Sequence, residues 1–372
     1  MLISVRQITS PSLPWTHLGN DGMAKYAPPA YSREEINRAG RRLTGDLSVS
    51  LDVDTAIAMI HSWRLGHNQP LNGMYMTLKT RAAKVSPAAV VAQRLKRLQS
   101  IGAKLARGEV EKLTQIQDTG GCRVVFPELA DVGELVSVCM NDSKTFKYQH
   151  RKDYVTDPKP AGYRSHHLIY RYVSDISAYN GLKIELQVRT RLQHSWATAV
   201  ETVSTFTKLP LKSGGLGVDT PWGRFFALAS SAFAAWEESP PVPNTPTNAA
   251  ELLAELGSLA EQLNVVFSLN AWRTALRELS SKKSIPTDTK AFLLVLDVET
   301  NTIRWVPFKK QDLAKAEEMR LEVEKTSGKD VVVVYVDSIS NLRKAYPNYF
   351  ADTRQFIKAI EELIGRRVPA VS

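Results

Sequence analysis

The chain has 372 residues, 43% of them apolar, with 2 cysteines, 7 histidines and a formal net charge of +10. That length suits two domains, each burying its own core without disulfide or metal staples. Cys122 and Cys139 stand singly in apolar runs and no histidine follows His194, which excludes a CxxC framework and a zinc site in the C-terminal half and points to a reducing cytoplasm. Neither a basic-then-apolar leader nor an apolar run near the ~18 residues of a membrane span occurs, so no signal peptide or membrane anchor is expected. The charge is uneven: residues 241–372 hold 18 basic and 17 acidic side chains, leaving 30 and 21 for residues 1–240. A basic first half suits a polyanionic partner such as a nucleotide or tRNA.

Residues 1–30, rich in Pro, Ser and Gly, read as a surface arm without chemistry. Ser32 with Glu35 forms a capping box that opens a helix to about Leu43, and Asp52 or Asp54 caps a second helix holding Ile57, Ile60 and Trp63. Leu71–Lys84, mixing apolar and basic residues, reads as strand or extended chain and supplies Lys79, Arg81 and Lys84. Ser86-Pro87 then predicts a helix to about Arg107 that carries Arg94, Lys96 and Arg97 outward. Beyond Asp118 and Thr119-Gly120-Gly121 come a strand from Cys122 to Phe126, a helix from Leu129 to Met140, and a strand from Phe146 to Tyr154.

A stiff loop follows, Asp157-Pro158-Lys159-Pro160-Ala161-Gly162, in which two prolines fix φ and Gly162 permits a tight approach beside Tyr163 and Arg164. Strands from His167 to Val173 and from Leu182 to Arg189 come next. On the second, Ile184, Leu186 and Val188 alternate with Lys183, Glu185, Gln187 and Arg189, so a carboxylate, an amide and a guanidinium share one face. Helices from Thr190 onward, carrying His194, and from Trp222 to Trp236 close this half. Pro240, Pro241, Pro243 and Pro246 mark a spacer. Behind it, helices in 249–281, a hairpin around residues 299–302, a helix from Asp312, a strand from Val331 to Val336 and final short helices compose a small α+β unit. The stretch Tyr346-Pro347-Asn348-Tyr349 lies between those last helices.

The series TRAAKVSPAAV, DTGGCRVV, KDYVTDPKPAGYRSHH and IELQVRTRLQHSWA resembles, in that order, the synthetase domain of the RelA/SpoT alarmone synthetases. Within that family the N-terminal YSREEINRAGRRL, the long C-terminal half and the YPNY stretch are most similar to CapRel, toxic small synthetases fused to their own antitoxin. The resemblance implies a mixed α/β, nucleotidyltransferase-like synthetase domain. Its sheet would have about five strands flanked by helices, over residues 1–238, with a linker at 239–248 and a small α+β antitoxin or sensor domain at 249–372. No His-Asp dipeptide occurs, so the alarmone hydrolase of the long family members is not expected.

Pyrophosphate transfer from ATP needs carboxylates for a metal, cations for the triphosphate and a base for the attacking hydroxyl. The resemblance assigns Mg²⁺ to Asp118 and Glu185, with Glu185 also activating the acceptor; two carboxylates are enough for Mg²⁺ when phosphate oxygens and water complete its shell. It assigns ATP to Arg81, Lys84, Arg123, Lys152 and Lys159, although Arg81-Ala82-Ala83-Lys84 is one residue longer than the commoner R-x-K. Tyr163, Arg164, His167, Gln187, Arg189 and His194 are assigned to the acceptor, with Tyr163 stacking on its base. The expected function is pyrophosphate transfer to the 3′ end of tRNA, held in check by Tyr346 and Tyr349 and released by a phage capsid protein that binds the C-terminal domain. The alternatives are a small alarmone synthetase acting on GDP or GTP, and an inactive nucleotide sensor or protein-binding scaffold.

Overall fold

Strict alternation in the central strands gives one sheet two unlike faces, and that asymmetry positions everything else. The computed structural model describes residues 27–96, 98–207, 209, 211, 219–270, 272–273, 288–297, 302–324, 329–335 and 349–365. Strands β1 (Val90–Leu95), β2 (Gly120–Phe126), β3 (Phe146–Asp153), β4 (His166–Tyr172) and β5 (Lys183–Thr190) form a sheet of order β1-β2-β5-β4-β3. β2 and β5 pair in parallel and the other neighbours are antiparallel, so the fold is mixed α/β as expected. Cys122, Val124, Phe126, Leu168, Tyr170, Ile184, Leu186 and Val188 pack beneath helices α3 (Asn68–Val85) and α5 (Leu129–Cys139). The opposite face carries the polar residues.

Helices α1 (Arg33–Leu43) and α2 (Val53–Gly66) are capped by Ser32, with its Glu35 box, and by Asp52, as the sequence predicts. Two elements differ from expectation. Residues 71–84 belong to helix α3, because Leu71, Met74, Leu78 and Ala82 recur at three- and four-residue spacing and fill the core against β2. The helix expected from Ser86 is instead edge strand β1 followed by α4 (Leu98–Ala106), since the β-branched pair Val90-Val91 finds a ladder partner in Val124-Val125.

After β5, helices α6 (Arg191–Thr207) and α7 (Pro221–Trp236) carry a second core. α7 is buried along most of its length, which requires partners on several sides. They come from α6, from α8 (Ala249–Gln262) and from a last helix, α10 (Tyr349–Gly365). Phe356 of α10 meets Phe225, Phe226 and Phe233 at ring-centroid distances of 6.3, 5.8 and 5.7 Å. Strands β6 (Thr289–Asp297), β7 (Thr302–Lys309) and β8 (Lys329–Tyr335) form an antiparallel sheet of order β7-β6-β8, with α9 (Leu313–Glu324) packing Ala316 on Ala291, Leu293 and Phe308. Phe292, one residue out of phase with those two, joins the α7 core. The proline stretch lies along α7: Val242 is buried and its N–H donates to Ser231 Oγ at 2.9 Å. Among the described residues no helix is long and apolar enough to cross a membrane.

Candidate active site

Strand register sorts the polar face into rows. Gln187 is paired with Arg123 on β2 and with His167 on β4, and His167 with Lys152 on β3, so four expected residues stand side by side across the sheet. The neighbouring row holds Glu185, with Ile169 and His150 on one side and Gly121 and Arg94 on the other. Gly121 leaves a gap beside Glu185 where any other residue would place a side chain.

A continuous chain of hydrogen bonds links the two rows. Arg123 donates to Gln187 Oε1 from Nε at 3.3 Å and from Nη2 at 3.2 Å, and Gln187 Nε2 donates to Glu185 Oε2 at 2.7 Å. His167 Nδ1 lies 2.9 Å from Glu185 Oε1, and its Nε2 lies 2.8 Å from the Tyr163 hydroxyl. Burial alone would push the His167 imidazole down, but Tyr163 and Glu185 outweigh it and raise it to about 9. The charge on His167 in turn holds the Glu185 carboxyl below its ordinary range, against the opposing effect of its own burial. Glu185 is thus an ionised carboxylate with both oxygens oriented.

Asp118 enters at the start of β2. Its Oδ2 is 2.5 Å from Lys96 Nζ and its Oδ1 is 3.3 Å from Lys104 Nζ, all three side chains being at most a quarter exposed. Burial raises this carboxyl, and the two ammonium groups more than cancel the effect. Asp118 is close enough for its charge to oppose ionisation of Glu185, so the two carboxylates share one field. On the far side Arg189, 3% exposed, donates to His194 Nδ1. Burial and then the nearby Arg123, with a smaller effect of Arg94, lower the Arg189 guanidinium to about 9. Glu201 opposes this effect at Arg189, and three guanidinium groups gathered in this way suit an anionic ligand.

The loop assigned to the acceptor packs its aromatic rings together beside His167. Lys159 Nζ sits 4.6 Å from the centre of the Tyr154 ring and 5.9 Å from that of Tyr163, and Tyr154 also packs edge-on against His167. Gly162 has φ +92°, and a Cβ there would lie 2.9 Å from both Trp196 and Ser230, so only glycine lets the loop close on α7. Arg164 departs from its expected contact with the acceptor. It is 2% exposed and donates to Ser230 Oγ at 3.1 Å, to Val155 O and Ser239 Oγ at 3.2 Å, and to Pro240 O. It therefore fastens the loop to α7 and to the proline stretch. His166, beside it, is 7% exposed, with Nδ1 3.3 Å from Asp153 Oδ1. Arg164→Ala is expected to destabilise the fold by about 2–5 kcal/mol, because it strands several buried acceptors. Arg164→Lys, which keeps the charge but not the fork, should recover less than half of that loss in urea melts.

Arg81 and Lys84 are not brought to this face. Arg81 Nη1 contacts Cys139 Sγ at 3.7 Å on the α3/α5 side of the sheet, and Lys84 is exposed one turn further along α3. The cations at this face include Arg94, Lys96 and Lys104; the sequence predicts the first two on the outward side of a helix and does not single out the third. A signal was present, for Arg94-Leu95-Lys96 has the R-x-K spacing that Arg81–Lys84 lacks. Arg97 and Tyr346 lie outside the described residues, and of Tyr349 only its place at the start of α10 is described.

Residues 93–207 match the family described as a region found in RelA / SpoT proteins. That stretch begins beside Arg94 and spans Asp118, Glu185 and His194, so Arg94, Lys96, both carboxylates and the loop of residues 159–163 all fall within the matched region. GTP pyrophosphokinase YjbM of Bacillus subtilis is 30% identical over 116 residues, covering 30% of this chain and 54% of that protein. GTP pyrophosphokinase YwaC of the same organism is 33% identical over 111 residues, covering 28% and 52%. The chain thus spans about half the length of the curated relatives it matches. Among solved structures, small alarmone synthetase 1 from Bacillus subtilis bound to its product pppGpp aligns over 46% of this chain and 89% of that one, at 24% identity and a TM-score of 0.40.

Among the described residues no cluster of three metal-ligating side chains occurs. A divalent ion bound here would have two carboxylates, Asp118 and Glu185, and would draw its remaining oxygens from substrate and water. That donor set suits Mg²⁺, which seldom takes more than two protein carboxylates.

Proposed function

We propose that the protein is a pyrophosphokinase that transfers the β,γ-pyrophosphate of ATP to a hydroxyl of a nucleotide acceptor. The observation that carries this reading is the bonded series Arg123–Gln187–Glu185–His167–Tyr163, with Asp118 in the same field. Asp118 and Glu185 would hold Mg²⁺, which when bound neutralises charge on the phosphate oxygens. Arg94, Arg123 and Arg189, with Lys96, Lys104 and Lys152, receive the triphosphate, and the ring of Tyr163 beside Lys159 receives the acceptor base. The acceptor oxygen attacks the β-phosphorus as its proton passes to Glu185, the α,β-bridging bond breaks, and AMP leaves. The charge of His167 stabilises Glu185 in the ionised form that accepts that proton.

For the acceptor, the excess of 30 basic over 21 acidic residues in the first 240 supports the 3′ end of tRNA. The names of the curated relatives support the second reading, GDP or GTP. Our proposal includes the narrower CapRel-like reading, in which residues 249–372 restrain the enzyme in cis and a phage protein releases it; it is supported by the packing of α8 and α10 on α7, next to the segment that Arg164 ties to the acceptor loop. ATP labelled in its γ-phosphate, incubated with Mg²⁺ and GDP, GTP or deacylated tRNA, tests the proposal. Label is expected in tRNA, at the slow rate of a chain restrained by its own C-terminal residues. Label entering only guanosine nucleotides would replace the tRNA acceptor with the second reading, and label entering none of the three would refute pyrophosphate transfer by the isolated chain.

A further inference from the structure

One more row of the polar face lies beside that of Glu185. Lys183, two residues before Glu185 on β5, is paired with Arg171 on β4, and Arg171 is paired with Lys147 on β3. Three cations therefore stand in file across three strands. Directly opposed side chains in an antiparallel pair have Cβ atoms about 5 Å apart, and like charges there are unfavourable. A fourth cation converges on them. Arg33 of α1 donates from Nη2 to Asn180 O at 2.9 Å, and a Cβ on Gly181 would lie 3.0 Å from that nitrogen and 3.9 Å from Arg171 Cδ. Gly181, at φ +80°, is the residue over which the two arginines approach each other.

Little offsets this charge. Asp142 is 3.4 Å from Lys147 Nζ, while among the described residues neither Arg171, which is exposed, nor Lys183 has an ion-pair partner. A merely solvated face has no reason to oppose like charges across successive strands, next to the acidic centre of a site. We infer that Lys147, Arg171 and Lys183, with Arg33, form a track for the phosphodiester backbone of an RNA acceptor whose reacting end lies at Glu185. A linear polyanion fits better than an anionic surface, because the cations run in file on the face that holds the site and start within ~7 Å of Glu185, two residues along an extended strand. A small nucleotide held at Tyr163 and Glu185 has no need of the file. The inference rests on the pyrophosphokinase reading only for what happens at Glu185; the binding of RNA to the row is measured separately.

The test combines Lys147→Gln, Arg171→Gln and Lys183→Gln in the full chain, with Arg171→Gln/Lys183→Gln as a second variant that keeps the Asp142 pair. Removing opposed like charges should leave Tm unchanged or raise it, whereas a structural role would lower it. Deacylated tRNA binding is measured from 50 to 300 mM salt. For three phosphate contacts, the slope of log K against log salt should weaken by about 2 in the triple variant. kcat/KM on tRNA should fall at least tenfold, with kcat/KM on GDP, where GDP is accepted, within twofold of the parent. Unchanged tRNA affinity and slope would overturn the inference, as would equal loss on both acceptors or no tRNA binding by the parent. Loss of binding to phosphatidylserine vesicles with tRNA binding intact would overturn it in favour of a membrane contact. If the parent binds tRNA through the row yet transfers no label to any acceptor, the pyrophosphokinase reading falls and the track stands.

Discussion

Glu185→Gln is expected to lower kcat for pyrophosphate transfer by about 10²–10⁴-fold, the range for loss of a positioned general base. The change is nearly isosteric, but it removes the charge that orients His167 and the proton acceptor itself. Its amide must also turn an N–H toward either His167 Nδ1 or Gln187 Nε2, both of which now meet a carboxylate oxygen. The fold should tolerate this, with thermal melts within a few degrees of the parent. Asp118→Asn should differ in kind. It leaves Lys96 and Lys104, 16% and 25% exposed, without their shared counter-charge, so activity and stability fall together. Near-parental turnover of Glu185→Gln at saturating Mg²⁺ would rule out its role as both base and metal ligand.

Phe356→Ala is expected to cost about 3–5 kcal/mol, the usual penalty for emptying an aromatic site in a packed core. The ring is fully buried among Phe225, Phe226 and Phe233. At about 2–4 °C per kcal/mol, a Tm lower by roughly 10 °C should be seen by calorimetry. The same geometry bears on truncation. Deleting residues 249–372 removes α8 and α10 and exposes the apolar side of α7, so the shortened chain is expected to aggregate rather than behave as a freed enzyme. A soluble, active fragment with an unchanged melt would show that α7 can repack without them.

Period-two alternation in residues 183–189 was enough to define both faces of β5, because a strand buried on one side must sort its side chains by polarity. The same local logic made the caps at Ser32 and Asp52 legible, as well as the turn at Gly162, where sequence and backbone geometry act within a few residues. The same alternation placed Glu185 on the polar face, whereas Asp118 was singled out only by the resemblance of its motif to the RelA/SpoT synthetases. Tertiary contact decided the remainder. In residues 68–85 the intervening cations obscure the helical spacing of Leu71, Met74, Leu78 and Ala82 until packing on β2 selects those positions, and residues 90–95 become a strand only because β2 offers an open edge. Long cationic side chains were the least legible part of the site. Arg81, Arg94, Lys96, Lys104 and Arg164 are similar in composition and local context, yet one contacts a cysteine, three gather at the site and one is buried as a clamp. Their positively charged ends lie several rotatable bonds from the backbone, so their destinations follow from what the fold brings near them, which sequence spacing does not encode.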